Sequence, residues 1–271
     1  MRIRATGGRR HRPQLLATAA FLLSACASQE QGSNVDPDQV DTTARPAVGA
    51  CRLLTPGDLE QVSNASATVD CVQPHTAETF EVGPLPAAFD DAAYDASEFA
   101  TMAYETCGRG FMEYLGADES LAMRTVLSWV MFRPSEAAWN DGARWYRCDV
   151  VGGIGSSPQL LTLPDTAQGL LSEPDDQWLA CVKGRSVDTA PRIPCSESHT
   201  FRAVTTIKLG KPEDEYPGDD DVESRTRAFC SDSVAAWLGY PVTYSFGYTW
   251  FLEPEWDAGN RRSVCWAKTD Q

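Results

Sequence analysis

The feature that most limits how this chain can fold is a set of eight cysteines that divides into two groups of four. The residues around the two groups align as well. A histidine follows the second cysteine of each group by four residues, and YLG or WLG begins seven residues after the third. WNDG or WDAG begins nine residues before the fourth. Matched spacings between identical residue types indicate a duplication, with a first copy at 50–151 and a second copy at 178–271.

The N-terminus is typical of an exported lipoprotein. Five arginines precede a short apolar core at 14–24, QLLATAAFLLS, which is too short to span a bilayer. LSAC at 23–26 then matches the bacterial lipobox, in which the cysteine becomes the acylated first residue. We therefore expect a signal peptide at 1–25, lipidation of Cys26, and attachment by acyl chains to the extracytoplasmic face of the cell membrane. The alternative is an ordinary signal peptide cut near Ala25, with the cysteine incidental.

Two segments outside the copies are expected to act as connectors. Residues 26–49 lack aromatic residues and large apolar clusters, which predicts a disordered tether. Residues 152–177 link the two copies, and the stretch LLTLPDTAQGLL within them is apolar enough to pack locally.

The cysteine count indicates an oxidising compartment. Besides Cys26 the chain has eight cysteines, an even number in an exported protein, which predicts four disulfide bridges rather than free thiols. Four cysteines allow three connectivities in each copy. We expect the first to pair with the second and the third with the fourth, because each such bridge would join neighbouring elements. The expected pairs are Cys51–Cys71, Cys107–Cys148, Cys181–Cys195 and Cys230–Cys265.

The charge of the mature chain excludes one class of partner. Without residues 1–25 the chain carries 18 basic and 38 acidic side chains, a formal charge of −20. Such a surface repels the phosphates of nucleic acids and anionic lipid headgroups. We therefore expect no nucleic-acid partner.

Each copy shows the same order of predicted elements. A strand follows the histidine, at 79–82 and at 200–207, and a helix with apolar residues at helical spacing ends before Gly116 or Gly239. Alternating aromatic residues at 243–252 predict a further strand, and a last strand carries the fourth cysteine. The predicted fold class is α+β, as two tandem small disulfide-braced domains, each with antiparallel strands and one main helix.

The two histidines raise the question of a metal site. The spacing Cys-x3-His is close to that of zinc ligands, but each copy offers one histidine and its cysteines are expected to be oxidised. His75 is followed by Glu78, whereas the matching position after His199 is Arg202. We expect each histidine to be structural, with its ring hydrogen-bonded in the turn before the strand. We predict no metal and no cofactor.

No catalytic residue is predicted. Ser196 and Ser198 lie near His199, but the first copy has Val72 and Pro74 at those places, and the chain has no G-x-S-x-G sequence. Paired carboxylates for glycoside hydrolysis stay an open alternative, because sequence spacing does not give the distance between two acids.

A second repeated motif combines a tryptophan with a glycine three residues later. Trp139 and Gly142 in the first copy match Trp256 and Gly259 in the second. We expect these tryptophans to pack in the core or against a turn. The alternative is a surface on which sugars stack.

The combined motifs resemble a known family. VDCVQPHTAE at 69–78, a helical cysteine ahead of YLG, and WNDGARWYRC at 139–148 resemble the septum-formation domain of actinobacterial envelope proteins. The second copy keeps the cysteines, His199, WLG and WDAG, but lacks the proline and the glutamate that flank the histidine in the first. The resemblance implies a role in septation or cell-wall organisation, without a reaction or a ligand.

These observations lead to one functional expectation and two alternatives. We expect a lipid-anchored envelope protein, not an enzyme, that acts as an interaction module for an envelope or septal protein. The first alternative is a sensor lipoprotein that binds a metal or a small ligand. The second is a binder or hydrolase of cell-wall carbohydrate.

Overall fold

A computed structural model describes residues 44–153 and 157–269. The predicted signal peptide, Cys26 and the tether up to residue 43 lie outside the described residues. None of the helices within the described ranges combines the length and the apolar character that a bilayer crossing requires.

The first copy consists of five strands and short helices around one interrupted main helix. Its strands are β1 (Cys51–Arg52), β2 (Thr68–Val69), β3 (Ala77–Pro84), β4 (Ser128–Phe132) and β5 (Trp145–Val151). Its helices are α1 (Glu98–Ala103), α2 (Arg109–Leu115), α3 (Glu119–Ala122) and α4 (Glu136–Asn140), with 3-10 turns at Pro56–Glu60 and Ala87–Phe89. A π-helical turn at Tyr104–Gly108 joins α1 to α2, so that the two form one main helix.

The second copy repeats this order with an uninterrupted main helix. Its strands are β6 (Ala180–Val182), β7 (Arg192–Pro194), β8 (Phe201–Lys208), β9 (Phe246–Thr249) and β10 (Arg262–Lys268), and its helices are α5 (Asp219–Trp237) and α6 (Glu253–Ala258). Three aspartates occupy the first turn of α5, where the helix dipole favours negative charge.

Both sheets have the same topology. The strand orders are β2-β1-β3-β5-β4 and β7-β6-β8-β10-β9, and all pairs are antiparallel. A bulge interrupts the pairing at Phe80 in β3 and at Val204 in β8, which follow the two histidines by the same five residues. A shared bulge at a shared position supports the duplication. The predicted fold class, two tandem disulfide-braced α+β domains, is confirmed.

Four disulfide bridges hold the two copies, and each joins elements of one copy. The bridges are Cys51–Cys71, Cys107–Cys148, Cys181–Cys195 and Cys230–Cys265, with Cα–Cα distances of 5.3, 5.5, 4.9 and 5.1 Å. The second bridge of each copy ties the main helix to the last strand. A bridge of this kind stabilises a small domain by about 2–4 kcal/mol, chiefly by restricting the unfolded chain.

The local structure differs from the sequence prediction in three places. The tryptophans lie in short helices, α4 and α6, which were not predicted. The Ser135 side chain accepts a hydrogen bond from the Ala138 amide at the start of α4, and Pro254 lies in the first turn of α6. The strand predicted at 243–252 is shorter, since only β9 pairs with β10. The π-helical turn has no counterpart in α5 and was not predicted.

One hydrophobic core runs through both copies. It includes Phe111 and Leu115 on the main helix of the first copy, and Val264 and Trp266 on β10 of the second. Leu163, Ala167 and Leu171 of the connecting segment belong to the same core. The linker is therefore packed, and the two copies are docked.

The sheet of the first copy carries a buried polar network on the face opposite the main helix. Arg147 and Asp149 flank Cys148 in β5 and form an ion pair of 3.0 Å with both side chains almost fully buried. The Thr79 hydroxyl donates to Asp149 over 2.7 Å and accepts from Arg52 over 2.8 Å. Arg147 also donates to the side chain of Asn64 over 3.1 Å. Burial and the neighbouring Arg147 lower the pKa of Arg52 to about 10, which leaves it charged at neutral pH.

The second copy replaces this network by apolar residues. The positions of Arg52, Thr79, Arg147 and Asp149 correspond to Val182, Ala203, Val264 and Trp266. All four replacements belong to the core that is shared with the first copy. In the first copy this face of the sheet is covered by polar residues of its own loop. In the second copy the same face is covered by the first copy.

Because of the network, we expect that removing a buried arginine lowers the free energy of unfolding far more than removing an exposed one. Arg147→Ala leaves Asp149 buried without its partner, and we expect a loss of about 3–5 kcal/mol in the free energy of unfolding. Arg225→Ala is the matched control, because its pair with Asp221 has both side chains about half exposed, and we expect a loss below about 1 kcal/mol. Urea unfolding of the oxidised protein measures both values. Equal losses in the two variants would contradict the proposed role of the network.

Candidate functional site

The two histidines adopt the same geometry in the two copies. The Nδ1 atom of His75 lies 2.8 Å from the carbonyl oxygen of Gln73, and that of His199 lies 2.7 Å from the carbonyl oxygen of Glu197. Since a carbonyl only accepts, Nδ1 is the donor in both contacts. Both Nε2 atoms are buried without a hydrogen-bond partner among the described residues. The ring hydrogen bond closes the turn that leads into β3 or β8.

Within residues 44–153 and 157–269, no three side chains of His, Cys, Asp or Glu come together in a way that would hold a metal ion. Both histidines therefore lie in their turns with a backbone carbonyl as their polar contact.

Glu78 binds the connecting segment to the first copy. Its carboxylate is buried and accepts hydrogen bonds from the Tyr114 hydroxyl over 2.7 Å and from the Thr166 hydroxyl over 3.0 Å. It also accepts from the Ala167 amide over 2.7 Å. Burial and the hydrogen bond to Glu78 raise the pKa of Tyr114 to about 12, although the contact with Thr166 acts in the other direction. The phenol therefore stays protonated and donates at neutral pH.

Main-chain hydrogen bonds complete this contact, and we call residues 163–171 the linker clasp. The Leu163 amide donates to the carbonyl of His75 over 2.9 Å. The amides of Gly169 and Leu171 donate to the carbonyls of Tyr114 and Leu115, each over 2.8 Å. The clasp therefore covers the histidine turn and the C-terminal end of α2 together.

The corresponding face of the second copy has different chemistry. Arg202 takes the place of Glu78, and its guanidinium forms an ion pair of 2.6 Å with the partly exposed Asp176. Trp237 takes the place of Tyr114 and is 49% exposed. Within the described part of the chain, no segment covers this end of α5 as the linker clasp covers α2.

The tryptophan motif is a structural device that is repeated in both copies. Trp139 and Trp256 are 5% and 4% exposed. The guanidinium of Arg144 lies 3.8 Å from the ring centroid of Trp139, and that of Arg261 lies 3.6 Å from the ring centroid of Trp256. Each arginine also donates to the carbonyl of the tryptophan that it covers. Because these rings are buried and already stacked, they offer no face to a sugar.

The two arginines were missed by the sequence analysis, although they lie five residues after each tryptophan. The glycines of the motif end the short helices. Gly142 and Gly259 have φ angles of 94° and 118°, in the left-handed region that side chains disfavour. A Cβ atom at Gly259 would also lie 2.6 Å from the Tyr104 ring of the first copy. Gly259 therefore permits close contact between the copies.

A cleft of about 290 Å³ lies where the two copies meet, beside the π-helical turn. Its apolar walls include Tyr104, Phe111, Met112, Leu127 and Trp129. Such a cleft at a boundary between domains, with few polar groups, is the usual form of a small-molecule site. The cleft was not predicted from the sequence, because its walls combine the main helix, the start of β4 and Arg192 of the second copy, which are distant along the chain.

Charged groups at the cleft connect the two copies. Arg192 from the second copy donates to the carbonyl of Met123 over 3.2 Å, and burial lowers its pKa. Glu119 accepts from Lys208 over 3.2 Å and forms an ion pair of 2.8 Å with Arg262. These contacts fix the second copy over the helix of the first and leave the cleft open beside Trp129.

The family comparison can now be set against this geometry. A model of the septum-formation family matches residues 7–133 and again residues 127–265. The chain belongs to the septum-formation family. Searches of curated proteins and of solved structures returned no match. The two family matches accord with the duplication, although the first ends before β5, which completes the first sheet.

In this septum-formation protein, the hydrogen bonds to Glu78 should determine how well the amides of the linker clasp are protected from exchange. Glu78→Ala removes the acceptor of three hydrogen bonds, and each hydrogen bond to a charged group contributes about 1.5–3 kcal/mol. We expect the amides of Ala167, Gly169 and Leu171 to exchange with deuterium at least about tenfold faster, as measured by mass spectrometry. Arg202→Ala is the control and leaves these amides unchanged. Protection that persists in Glu78→Ala would refute the role assigned to the carboxylate.

Proposed function

We propose that the protein is exported, anchored through lipid on Cys26, and acts at the outer face of the cell membrane as a non-catalytic binding module in septum formation. The family supports the setting. The lipobox at 23–26 supports the anchor, and four disulfides support an oxidising compartment. The charge of the mature chain favours protein partners over nucleic acid.

One observation carries the choice of binding as the activity. The two copies share a topology, yet the helix end that the linker clasp covers in the first copy is exposed in the second, with Trp237 on the surface. Exposed apolar side chains next to each other are costly for a soluble surface and commonly mark an interaction site. We therefore assign the interaction surface to the exposed helix end of the second copy, which is docked on the first copy.

The anchor predicts where the protein is found in the cell. Cys26→Ala removes the acylated residue, and we expect a fluorescently tagged variant to move from the membrane fraction to the soluble fraction and to lose any enrichment at septa. Ser28→Ala, two residues away, is the control and keeps the membrane fractionation. Unchanged membrane fractionation of Cys26→Ala would refute lipid anchoring, and uniform envelope distribution of the parent protein would refute the septal setting.

A second candidate function, the binding of a small ligand, is favoured by the cleft between the copies. Its largely apolar and aromatic walls suit an apolar small molecule. Native mass spectrometry of protein purified from its host tests this candidate. A bound small molecule that is lost in Trp129→Ala would support it, and protein of unliganded mass would not.

A further inference from the structure

The main helices of both copies end with the same backbone cap. In the first copy the Ala117 amide donates to the carbonyl of Met112 over 2.9 Å, after a left-handed Gly116. In the second copy the Tyr240 amide donates to the carbonyl of Ala235 over 2.8 Å, after a left-handed glycine. The two ends are thus equivalent to the level of single hydrogen bonds.

Beyond the cap, the two ends differ in what satisfies the last carbonyls. The linker clasp donates two amides to the carbonyls of Tyr114 and Leu115. The equivalent carbonyls belong to Trp237 and Leu238, and in the described ranges no backbone amide donates to either. The second copy therefore has two carbonyl acceptors in the same arrangement as the two that the linker clasp binds in the first copy.

Four large apolar or aromatic side chains at and after this helix end are exposed, and we call Trp237, Tyr240, Val242 and Tyr244 the α5-end patch. Their exposed fractions are 49%, 76%, 102% and 36%. The Tyr244 hydroxyl donates to the carbonyl of Ser231 over 3.0 Å, which holds its ring beside α5. This contact ties the end of the segment after α5 back to the helix.

The backbone of Tyr240 is strained. Its φ angle is 57°, and it is the non-glycine residue with positive φ among the described residues. A bulky side chain in the left-handed region costs about 1–3 kcal/mol and tends to be found where function requires it. The strained residue carries an exposed phenol three residues after Trp237, at a position where a glycine would fit the backbone better.

We propose that the α5-end patch binds a short linear peptide segment of a partner protein, in the manner in which the linker clasp binds the first copy. This inference rests on the proposed function and names its partner by chemistry. The peptide donates two main-chain amides to the carbonyls of Trp237 and Leu238, and its apolar side chains pack on the patch.

The exchange of Glu78 for Arg202 determines the polar group of that peptide. In the first copy the carboxylate accepts from the Thr166 hydroxyl and the Ala167 amide. An arginine at the same place has five donors and no acceptor, and the contact with Asp176 uses a side that is open to solvent. The partner peptide therefore carries a carboxylate where the clasp carries Thr166.

A second copy of this chain is a less suitable occupant. Two mature chains each carry a formal charge of −20, so their association is opposed by repulsion over most of the surface. A short peptide with a single carboxylate brings little charge and meets an arginine. We therefore assign the patch to a linear segment.

The test uses the oxidised mature chain and two fluorescent peptides. One has the sequence of residues 161–172, LTLPDTAQGLLS, and the other carries Thr166→Glu. A charge-assisted hydrogen bond contributes about 1.5–3 kcal/mol, which corresponds to about tenfold or more in Kd. We expect fluorescence anisotropy to show at least about tenfold tighter binding of the Thr166→Glu peptide. Arg202→Glu reverses the preference, because it restores the chemistry of the first copy.

Two patch variants and two controls complete the test. Trp237→Ala and Tyr240→Gly each weaken binding at least about fivefold, and Tyr240→Gly keeps or raises thermal stability because it relieves the backbone strain. Arg225→Glu on the same helix and Val72→Ser on an exposed turn leave binding unchanged. The inference is overturned if neither peptide shows saturable binding. It is also overturned if the patch variants and the charge changes leave the affinity unaltered.

The outcome also separates this inference from the proposed function. Septal enrichment without peptide binding would remove the peptide site and keep the septal setting. Peptide binding by a protein that is not attached to the membrane would keep the peptide site and refute the lipid anchor. Dimerisation that Trp237→Ala abolishes, measured by light scattering, would assign the patch to a second copy and overturn the peptide site.

Discussion

The structure depends on the disulfide bridge that holds each main helix against the last strand of its sheet. Each of these bridges joins the helix layer to the sheet by a covalent bond and restricts the unfolded chain. The bridges Cys107–Cys148 and Cys230–Cys265 provide a constraint that does not depend on what covers the rest of the sheet. The two copies were therefore free to diverge on their other faces while their topology stayed the same.

That freedom explains the contrast between the faces opposite the helices. In the first copy, Arg147 and Asp149 form a buried pair that fixes loop residues such as Asn64 over the sheet. In the second, Val264 and Trp266 pack in the core shared with the first copy. A buried ion pair often adds little net stability compared with apolar residues, but it imposes a defined geometry. The apolar face of the second copy suits docking on the first copy. The polar face of the first copy suits a sheet that is covered by its own loop.

The sequence was sufficient for the features that repeat, and insufficient for those that depend on contacts between copies. The cysteine spacing and periodic apolar residues predicted the duplication and the α+β class, because both are local signals. The cleft, the linker clasp and the docking of the copies involve residues distant in sequence. Arg144 and Arg261 repeat too, but their position over a tryptophan ring becomes visible only in three dimensions. The π-helical turn has no composition signature that distinguishes it from an ordinary helix.

Duplication with head-to-tail docking has a geometric consequence for binding. The second copy uses its sheet face to cover the helix layer of the first, so the helix layer of the second has no equivalent cover within the described residues. Heterologous stacking leaves one such face at the end of any tandem. Selection can make that face polar, as terminal repeats usually are. Along α5 the exposed side chains are mostly polar, and Trp237 and a strained Tyr240 lie at its C-terminal end. The exposed apolar side chains and the strained backbone at this end are the features on which the proposed peptide site rests.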